Sequence, residues 1–417
     1  MNKRSTSSGM SRRDFAKASA VAAGFAILSS KSGIAQDNVD TLKIGLIGCG
    51  GRGGGAVVNC LMGNDNVKFV AMADVFEDKL VARRNDLRGN QHPKVQPKID
   101  IQDDLCFFGL DAYEKLLATD VDIVIHATPP YARPKHMEAI VAAGKHAFIE
   151  KPFAVDPVGI RQCIAAAKAA EAKGLSIVTG PQRRYQTSYM ETVKQIQDGS
   201  VGDILVARAY WNGSLPFCNE REPEYSDLEY RFRNWYNYIW TCGDNIVEQH
   251  VHNLDVINWI LDEHPASVVS SGGRAWKPSE EKYGDIWDNF SCDYEYASGV
   301  RMFSMSRHWN NSQNEVSELV IGTKGKSNCR DAASDKSDPY VNEHIALLKS
   351  IRGEREYINQ GVQTAESTLT AIMGRMSAYT GKKVTWDEAL NSDLSLVPED
   401  LDFEKAYPVG PIPVPGA

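Results

Sequence analysis

Residues 42–53 read LKIGLIGCGGRG, and this stretch decides the fold of the chain. A short apolar run ends in the spacing G-x-G-x-x-G at Gly48, Gly50 and Gly53, and residues 56–62 then follow a helical pattern. The first glycine permits a tight turn, the second lets the backbone approach a pyrophosphate, and the third lets the helix pack close to the strand. A strand, this turn and a helix in that order predict the start of a dinucleotide-binding domain.

A second apolar run, residues 67–72, is followed by Asp74, about 20 residues beyond the glycines. A dinucleotide site places there the carboxylate that accepts hydrogen bonds from a ribose. Because a carboxylate repels a 2′-phosphate, the sequence favours NAD over NADP. Two alternatives stay open: Asp74 could cap the helix that follows it, and Arg83 and Arg84 lie near enough in sequence to accommodate NADP.

Strand and helix patterns continue to alternate after Asp74. Strands are predicted over residues 121–127 and 147–150, with helices near residues 111–118 and 135–144. This alternation predicts an α/β domain with a doubly wound parallel sheet, whose ligands bind at the carboxyl edge of the strands. Two strand ends on that edge carry unusual residues, which are Thr128-Pro129-Pro130 and Glu150-Lys151-Pro152.

The N-terminal segment differs in charge from the rest of the chain. Residues 1–35 carry a local charge of +5, against −8 for all 417 residues, which leaves about −13 for the remainder. Residues 11–17 read SRRDFAK, which resembles the twin-arginine export motif, and the apolar run 18–28 is shorter than the roughly 20 residues of a membrane span. With small residues at 33–35 as a cleavage site, this pattern predicts a signal peptide over residues 1–35, export of the folded protein to the periplasm, and no stable membrane anchor.

Composition excludes several function classes. With 42% hydrophobic and 24% charged residues, the chain is typical of a soluble globular protein of about two or three domains. Its acidic body is unsuited to nucleic acid, whose binding requires basic residues that neutralise phosphates. The 8 cysteines show no spacing typical of a metal site or a disulfide framework, so we expect no metal, while one or two disulfides stay open.

The second half of the chain has the pattern of a separate domain. A helix over 158–173 and a strand over 175–179 complete the first sheet, and residues 180–185 mark the change. The strand patterns that follow lie at residues 204–211, 267–272, 289–296, 300–308 and 315–321. They predict an α+β C-terminal domain with an open, mostly antiparallel sheet. We therefore divide the chain into a NAD-binding Rossmann domain at 40–180, a substrate-binding domain at 181–400 and a Pro/Gly-rich tail at 401–417.

The segment with the most chemical content is residues 248–255, inside an apolar helical pattern that runs over residues 246–260. A spacing of four places Glu248 and His252 on one helix face, where both can reach the same ligand. His250 and His252 diverge by about 200° on a helix, so a single metal ion would not easily meet both.

Aromatic residues are concentrated between residues 209 and 240. Sugars stack on aromatic rings and bind through polar groups, so this segment is interpreted as a loop that shapes a carbohydrate pocket, with packing or a subunit contact as the alternative. Trp211 in this segment, and Arg184 and Tyr185 at the domain change, are candidate substrate contacts. The aromatic residues are Tyr210, Trp211, Phe217, Tyr225, Tyr230, Phe232, Trp235, Tyr236, Tyr238 and Trp240.

Taken together, the motifs at residues 48–53, 127–130, 143–146, 150–152 and 248–259 resemble the Gfo/Idh/MocA family of NAD(P)-dependent sugar oxidoreductases. The resemblance implies that Lys151 reaches the substrate hydroxyl and the nicotinamide, and that His252 is the general acid-base. Glu248 replaces the family's aspartate, and Arg133 stands where the family often has a histidine. The open sheet is implied to make homo-oligomer contacts. The cofactor site is expected to include Gly48, Gly50, Gly51, Arg52, Gly53, Asp74, Thr128, Pro129, Pro130, Glu150 and Lys151.

The sequence therefore predicts an exported NAD-dependent oxidoreductase that moves hydride between a tightly bound nicotinamide cofactor and a secondary hydroxyl of a sugar, glycoside or cyclitol. Because free NAD is scarce outside the cytoplasm, we expect the cofactor to be recycled in place. One alternative is glycoside cleavage or epimerisation by transient oxidation and elimination, with no net redox change. A second alternative is a non-catalytic sugar-binding protein with structural NAD.

Overall fold

The computed structural model describes residues 40–416, and the signal peptide predicted over residues 1–35 lies outside the described residues. The first part forms a six-stranded parallel sheet in the order β3-β2-β1-β4-β5-β6. The strands are β1 Leu42–Ile47, β2 Val67–Asp74, β3 Cys106–Phe108, β4 Ile123–His126, β5 His146–Ile149 and β6 Ile177–Thr179. The helices of this part are α1 Gly51–Gly63, α2 Glu77–Arg88, α3 Ala112–Leu117, α4 Arg133–Ala142 and α5 Pro157–Ala172.

This sheet is covered on both faces, which explains why its strands are almost wholly apolar. On β1, Ile44 and Leu46 enter one buried cluster while Ile47 enters another. On β4, Ile125 and Val124 divide between the two clusters in the same way. Successive side chains of a strand point to opposite faces, so both faces must be buried by helices. The predicted doubly wound parallel sheet is confirmed, and its strand order reverses between β1 and β4, where such sheets bind ligands.

The second part is built on a seven-stranded sheet in the order β12-β11-β7-β10-β9-β8-β13. Its neighbours pair antiparallel except β7 and β10, which are parallel. The predicted α+β domain with a mostly antiparallel sheet is confirmed. The strands are β7 Ile204–Gly213, β8 Pro265–Gly273, β9 Asn289–Tyr296, β10 Arg301–His308, β11 Glu315–Gly322, β12 Gly325–Ser327 and β13 Val384–Thr385.

The later helices bind the two sheets into one body. α11 (Pro339–Ile351) returns to the first sheet, where Val341 and Ile345 pack against Gly63 at the end of α1. α12 (Gly361–Thr380) lies between the domains and packs on α5 and β8. The helices of this part are α6 Thr187–Gln197, α7 Asp227–Arg233, α8 Ile239–Cys242, α9 Asn245–Glu248, α10 Val251–Leu261, α11 Pro339–Ile351, α12 Gly361–Thr380 and α13 Trp386–Leu390.

The prediction of a single helix over residues 246–260 was wrong in one respect. The structure divides it into α9, which ends at Glu248, and α10, which begins at Val251. The break has a local cause, because the His250 amide donates to the carbonyl of Asn245, five residues back, at 3.3 Å. Such a widened turn interrupts the α-helical ladder. His250 is held there by a 2.6 Å contact between its Nε2 and Ser304 Oγ.

The structure also describes the state of the cysteines and the length of the helices. All eight cysteines are free thiols, and six of them are buried. Among residues 40–416, the structure contains no helix that is both long and apolar enough to cross a membrane.

The glycine turn yields a test of the fold. A Cβ at Gly53 would lie 2.0 Å from the carbonyl oxygen of Gly48, so Gly53→Ala must displace the turn. We expect a loss of about 1–3 kcal/mol in the free energy of unfolding, measured by urea denaturation. The control is Gly55→Ala on the same helix, whose Cβ meets only Arg52 Nη1 at 3.9 Å and which gains about 0.5–1 kcal/mol of helix propensity. Equal stabilities of the two variants would contradict this packing.

Candidate active site at the carboxyl edge of the first sheet

One cavity of about 890 Å³ lies at the carboxyl edge of the parallel sheet and extends beneath residues of the second domain. This volume is within the roughly 300–1,000 Å³ of ordinary ligand sites. The strand ends of the first domain contribute Gly48, Asp74, Thr128 and Lys151, and the second domain contributes His252. The cavity is therefore shared by both domains.

The glycine turn presents its backbone to this cavity. Gly48 has φ +97, and a Cβ there would lie 2.7 Å from the carbonyl carbon of Ala127, so the turn requires glycine. Gly50 and Gly51 line the cavity, and a Cβ at either would meet nothing within 4 Å. The turn therefore leaves open space beside the first amides of α1, where a pyrophosphate fits. Gly53 is packed against Gly48 and serves the close approach of helix and strand.

Asp74 holds the same turn from the end of β2. Its Oδ2 accepts the Cys49 amide at 2.6 Å and its Oδ1 accepts the Phe76 amide at 2.9 Å. Burial raises the pKa of this carboxyl, and the two amides oppose the rise. The helix α2 has Phe76 at its N-cap position without a side-chain cap, so the alternative of Asp74 as its cap is wrong. Asp74 also lines the cavity, as a ribose-binding carboxylate should.

Arg83 and Arg84, the two residues that kept NADP as an alternative cofactor, both pair with carboxylates of the first domain. Arg83 pairs with Asp86, and Arg84 donates to Asp103 at 3.0 Å. Neither is among the cavity-lining residues. Arg83 also donates from its Nε to the Cys49 carbonyl of the glycine turn at 3.4 Å, so its side chain lies against the turn and outside the cavity lining.

Arg133 connects the residues that follow β4 with those that follow β5. Its guanidinium donates to the carbonyl of Thr128 at 2.5 Å and to the carbonyl of Pro152. Thr128 and Pro129 line the cavity, whereas Pro130 is buried at the start of a short helical turn and lies outside the lining. Arg133 stands at the position where the resemblance places a histidine. In this chain it is a buried residue that connects two strand ends.

The reactive cluster consists of Lys151, Glu248 and His252, which all line the cavity and are 8%, 5% and 9% exposed. Lys151 Nζ donates two hydrogen bonds to Glu248, one to its backbone carbonyl oxygen at 2.5 Å and one to its side-chain Oε1 at 3.0 Å. Glu248 Oε2 and His252 Nδ1 are buried without a hydrogen-bond partner among the described residues. Unpaired buried polar atoms are costly, and two of them beside Lys151 mark a cluster whose polar groups the described residues do not fully satisfy.

Burial and charge set the protonation of this cluster. Burial lowers the pKa of His252 well below 6.5, and the positive charges of Lys151, Arg183 and Arg52 lower it further. The imidazole is therefore neutral at physiological pH and able to accept a proton. Burial raises the pKa of Glu248, and Lys151 opposes this rise.

Arg52 is held beside the cluster by Glu150 and by two residues that local sequence patterns did not indicate, Glu343 and Tyr340. Its Nε pairs with Glu150, its Nη2 lies 3.3 Å from Glu343 Oε1, and its guanidinium stands 4.6 Å above the Tyr340 ring. Tyr340 also lines the cavity. Glu343 lies 291 residues from Arg52 in the chain, so only the return of α11 to the first domain brings them together.

The substrate contacts expected at Arg184 and Tyr185 need correction, because both side chains lie outside the cavity lining. Arg184 makes two 2.9 Å hydrogen bonds to Asp255, and Tyr185 donates to Gln360 Oε1 at 2.9 Å. They brace the junction of the domains. Trp211 is also outside the lining, and its ring stacks on His252 with centroids 5.9 Å apart.

The aromatic segment divides between the two roles left open for it. Phe217, Phe232 and Trp235 line the cavity, together with Asn219 and Arg233. The remaining aromatic residues of the segment are not in the lining. The sequence analysis missed residues 397–401, which also line the cavity and belong to a segment without periodicity or motif.

His250 and His252 face different environments. His250 is buried against Ser304, while His252 faces the cavity. Within residues 40–416, no group of three or more His, Cys, Asp or Glu side chains is arranged to hold a metal ion.

Comparison with known proteins places this site in a family. The profile "Oxidoreductase family, NAD-binding Rossmann fold" matches residues 42–179, and "Oxidoreductase family, C-terminal alpha/beta domain" matches residues 193–343. An inositol 2-dehydrogenase of Rhizobium meliloti strain 1021 is 26% identical over 286 residues, which are 68% of this chain and 74% of that protein. A 2,7-anhydro-N-acetylneuraminate hydratase of Escherichia coli K12 is 28% identical over 210 residues, about half of each chain.

Solved structures share the fold. The scyllo-inositol dehydrogenase of Lactobacillus casei with bound NAD(H) and scyllo-inositol is similar with a TM-score of 0.64 and 17% identity, over 84% of this chain and all of that chain. The two profiles together span more than half of the sequence. The first covers the strands of the parallel sheet, and the second covers most strands of the seven-stranded sheet. The chain therefore belongs to the Gfo/Idh/MocA oxidoreductase family, and its first domain is the NAD-binding Rossmann domain of that family.

Proposed function

We propose that this protein is an exported NAD-dependent oxidoreductase that acts on a secondary hydroxyl of a sugar, glycoside or cyclitol. The observation that carries the proposal is the position of Lys151, Glu248 and His252 in the same cavity as the glycine turn and Asp74. The names of relatives agree, since they include inositol 2-dehydrogenases.

Each residue of the cluster has a distinct role in this proposal. Neutral His252 accepts the hydroxyl proton, and Lys151 donates a hydrogen bond to the oxygen as negative charge develops on it. Glu248 holds Lys151 through its carbonyl and carboxylate, and so fixes the position of the lysine ammonium beside the reacting hydroxyl. Bound NAD supplies the hydride acceptor.

The charges around the cluster favour an uncharged substrate. Lys151 is paired with Glu248 and Arg52 with Glu150. Arg183, whose charge reaches His252, is paired with Glu318. Because each of these cations already has a carboxylate partner, a sugar carboxylate or phosphate would have to displace one or bind unpaired. A neutral polyol or glycoside only needs hydrogen bonds.

Transient oxidation with no net redox change is the second candidate function. The Escherichia coli relative named as a hydratase belongs to a reaction class without net oxidation, which favours keeping this alternative. The two functions differ in their product, because a plain dehydrogenase leaves a ketone and reduced nicotinamide.

The outward face of the second sheet supports a proposed homo-oligomer. Val269 and Phe303 both pair with Asp293, so they lie on the same face as Met305, and each is about half exposed. Ile321 joins this face through its pairing with Val206, which in turn pairs with Arg301. We propose that a second copy of the chain covers this face, on which the exposed apolar side chains lie beside the Arg301–Asp293 ion pair.

The substrate class is tested with the purified protein loaded with NAD. We expect a reduced-nicotinamide signal or keto product with neutral polyols and glycosides, and at least a tenfold lower kcat/KM with matched uronates or phosphates. His252→Asn should lower kcat by about 10²–10⁴-fold while bound nucleotide, released and quantified by chromatography, is unchanged. The exposed His92→Asn serves as the matched control. Full turnover by the His252 variant, or a preference for anionic sugars, would contradict the proposal.

The pH profile tests the state of His252 independently. The lowered pKa keeps the imidazole unprotonated until the pH falls well below 6.5. The acid limb of kcat/KM for alcohol oxidation should therefore lie below pH 6.5 in the wild type. A limb at or above pH 6.5 that persists in His252→Asn would assign the base to another group.

Export is tested through the twin arginines. We propose periplasmic localisation after removal of residues 1–35, supported by Arg12, Arg13 and the apolar run that follows. N-terminal sequencing of the secreted protein should begin near residue 36, and Arg12→Lys with Arg13→Lys should retain the precursor in the cytoplasm. Recovery of protein that still begins at Met1 from the periplasm would oppose this proposal.

A further inference from the structure

Residues 391–413, which we name the closing segment, form part of the cavity wall although they lie beyond both family profiles, the second of which ends at residue 343. Residues 397–401 of this segment line the cavity. The stretch 393–401 contains no regular helix or strand, so its path is set by its contacts with the rest of the protein.

The closing segment is anchored to the first domain where it begins. Arg161 on α5 donates to the carbonyls of Leu390 and Ser392 at 2.6 and 2.7 Å. The amide of Leu396 then donates to Asp156 Oδ2 at 2.7 Å. Asp156 is buried and also caps α5, so this end of the segment is fastened to a rigid helix terminus.

The other end is anchored to the second domain. The Tyr407 amide donates to Asp227 Oδ2 at 2.9 Å, and Arg231 donates to the Tyr407 carbonyl at 2.6 Å. Further along, Trp287 Nε1 donates to the Pro413 carbonyl at 3.0 Å. The segment therefore crosses from one domain to the other over the cavity.

The part between the anchors packs against the end of the cavity that contains Asp74. Val397, Leu401 and Phe403 pack in one apolar cluster with Val75 and Phe76, which directly follow Asp74. In a Rossmann site, the carboxylate after the second strand binds the ribose of the adenosine half. Residues 397–401 consequently lie at the adenosine end, away from the reactive cluster.

Contacts between α7 of the second domain and the first domain lie at the same end of the cavity. Arg233 on α7 makes two hydrogen bonds of 2.9 and 3.0 Å to Asp78 on α2, and its guanidinium lies 4.1 Å from the centroid of the Phe76 ring. Phe232 stacks on Tyr131 with centroids 4.8 Å apart. The two domains are thus joined directly across the adenosine end by an ion pair and stacked rings.

We infer that the closing segment, through residues 397–401, forms a wall of the adenosine subsite and retains the dinucleotide between turnovers. Dissociation of the nucleotide requires release of the closing segment, which hydrogen bonds hold at both ends, or of the Arg233–Asp78 contact, which has two hydrogen bonds. The acidic Glu399 and Asp400 in this wall add negative charge that disfavours a 2′-phosphate. The inference extends the proposed function, because a retained cofactor must be reoxidised in place by a carbonyl form of the same or a second sugar.

The exchange of bound NAD tests this inference without any need for turnover. Full-length protein is loaded with isotopically labelled NAD, desalted and chased with excess unlabelled NAD. We expect the wild type to keep its label through desalting, and Leu401→Ala combined with Val397→Ala to lose it at least tenfold faster. The control is Leu394→Ala, which lies in the same segment, is 38% exposed and does not line the cavity. It should exchange like the wild type.

A milder variant guards against unfolding of the double substitution. Tyr407→Phe keeps the ring and removes the hydroxyl that donates to the Asp400 carbonyl and accepts the Asp402 amide, both at 3.0 Å. Its exchange should also be faster than that of the wild type. Free exchange in the wild type, or wild-type exchange in both wall variants, would overturn the inference. Turnover with freely exchanging NAD would leave the proposed function standing, whereas absence of any NAD binding would overturn both.

Discussion

The pairing of Lys151 with Glu248 is the interaction on which the site depends. It joins the end of β5 in the first domain to the end of α9 in the second, 97 residues apart in the chain. Both side chains are buried, so removal of either partner would leave an uncompensated charge at a cost of about 3–5 kcal/mol. The pair therefore ties the position of Lys151 to the docking of the two domains.

The same docking explains the electrostatics of the cavity. His252 is neutral because it is buried near Lys151, Arg183 and Arg52, and those cations can be present only because Glu248, Glu318 and Glu150 neutralise them. A buried network of this kind positions polar groups without a net field that would attract an anion. The resulting site is suited to proton transfer from a hydroxyl group that is held by hydrogen bonds.

Local sequence patterns were sufficient for the fold of the first domain and for placing Glu248 and His252 together, whereas the role expected of Lys151 came from the family resemblance. The glycine spacing, the position of Asp74 and the alternation of strands and helices depend on neighbours in the chain, and the structure places them at one sheet edge. Arg184 and Tyr185 were misjudged because their partners, Asp255 and Gln360, are distant in sequence. The division of the predicted helix before Val251 depended on a single five-residue hydrogen bond that apolar periodicity does not reveal.

The contribution of residues 397–401 could not be predicted for a related reason. An irregular segment has no hydrophobic period, and its position is decided by anchors such as Asp156 and Asp227 that lie far away in the sequence.

The most direct test of the proposed site is a crystal structure of the protein with NAD and a neutral polyol. It should show the adenosine ribose on Asp74 and the nicotinamide ring with a substrate hydroxyl between Lys151 and His252. A dinucleotide bound in the reverse direction, or a polyol bound away from these two side chains, would contradict the account.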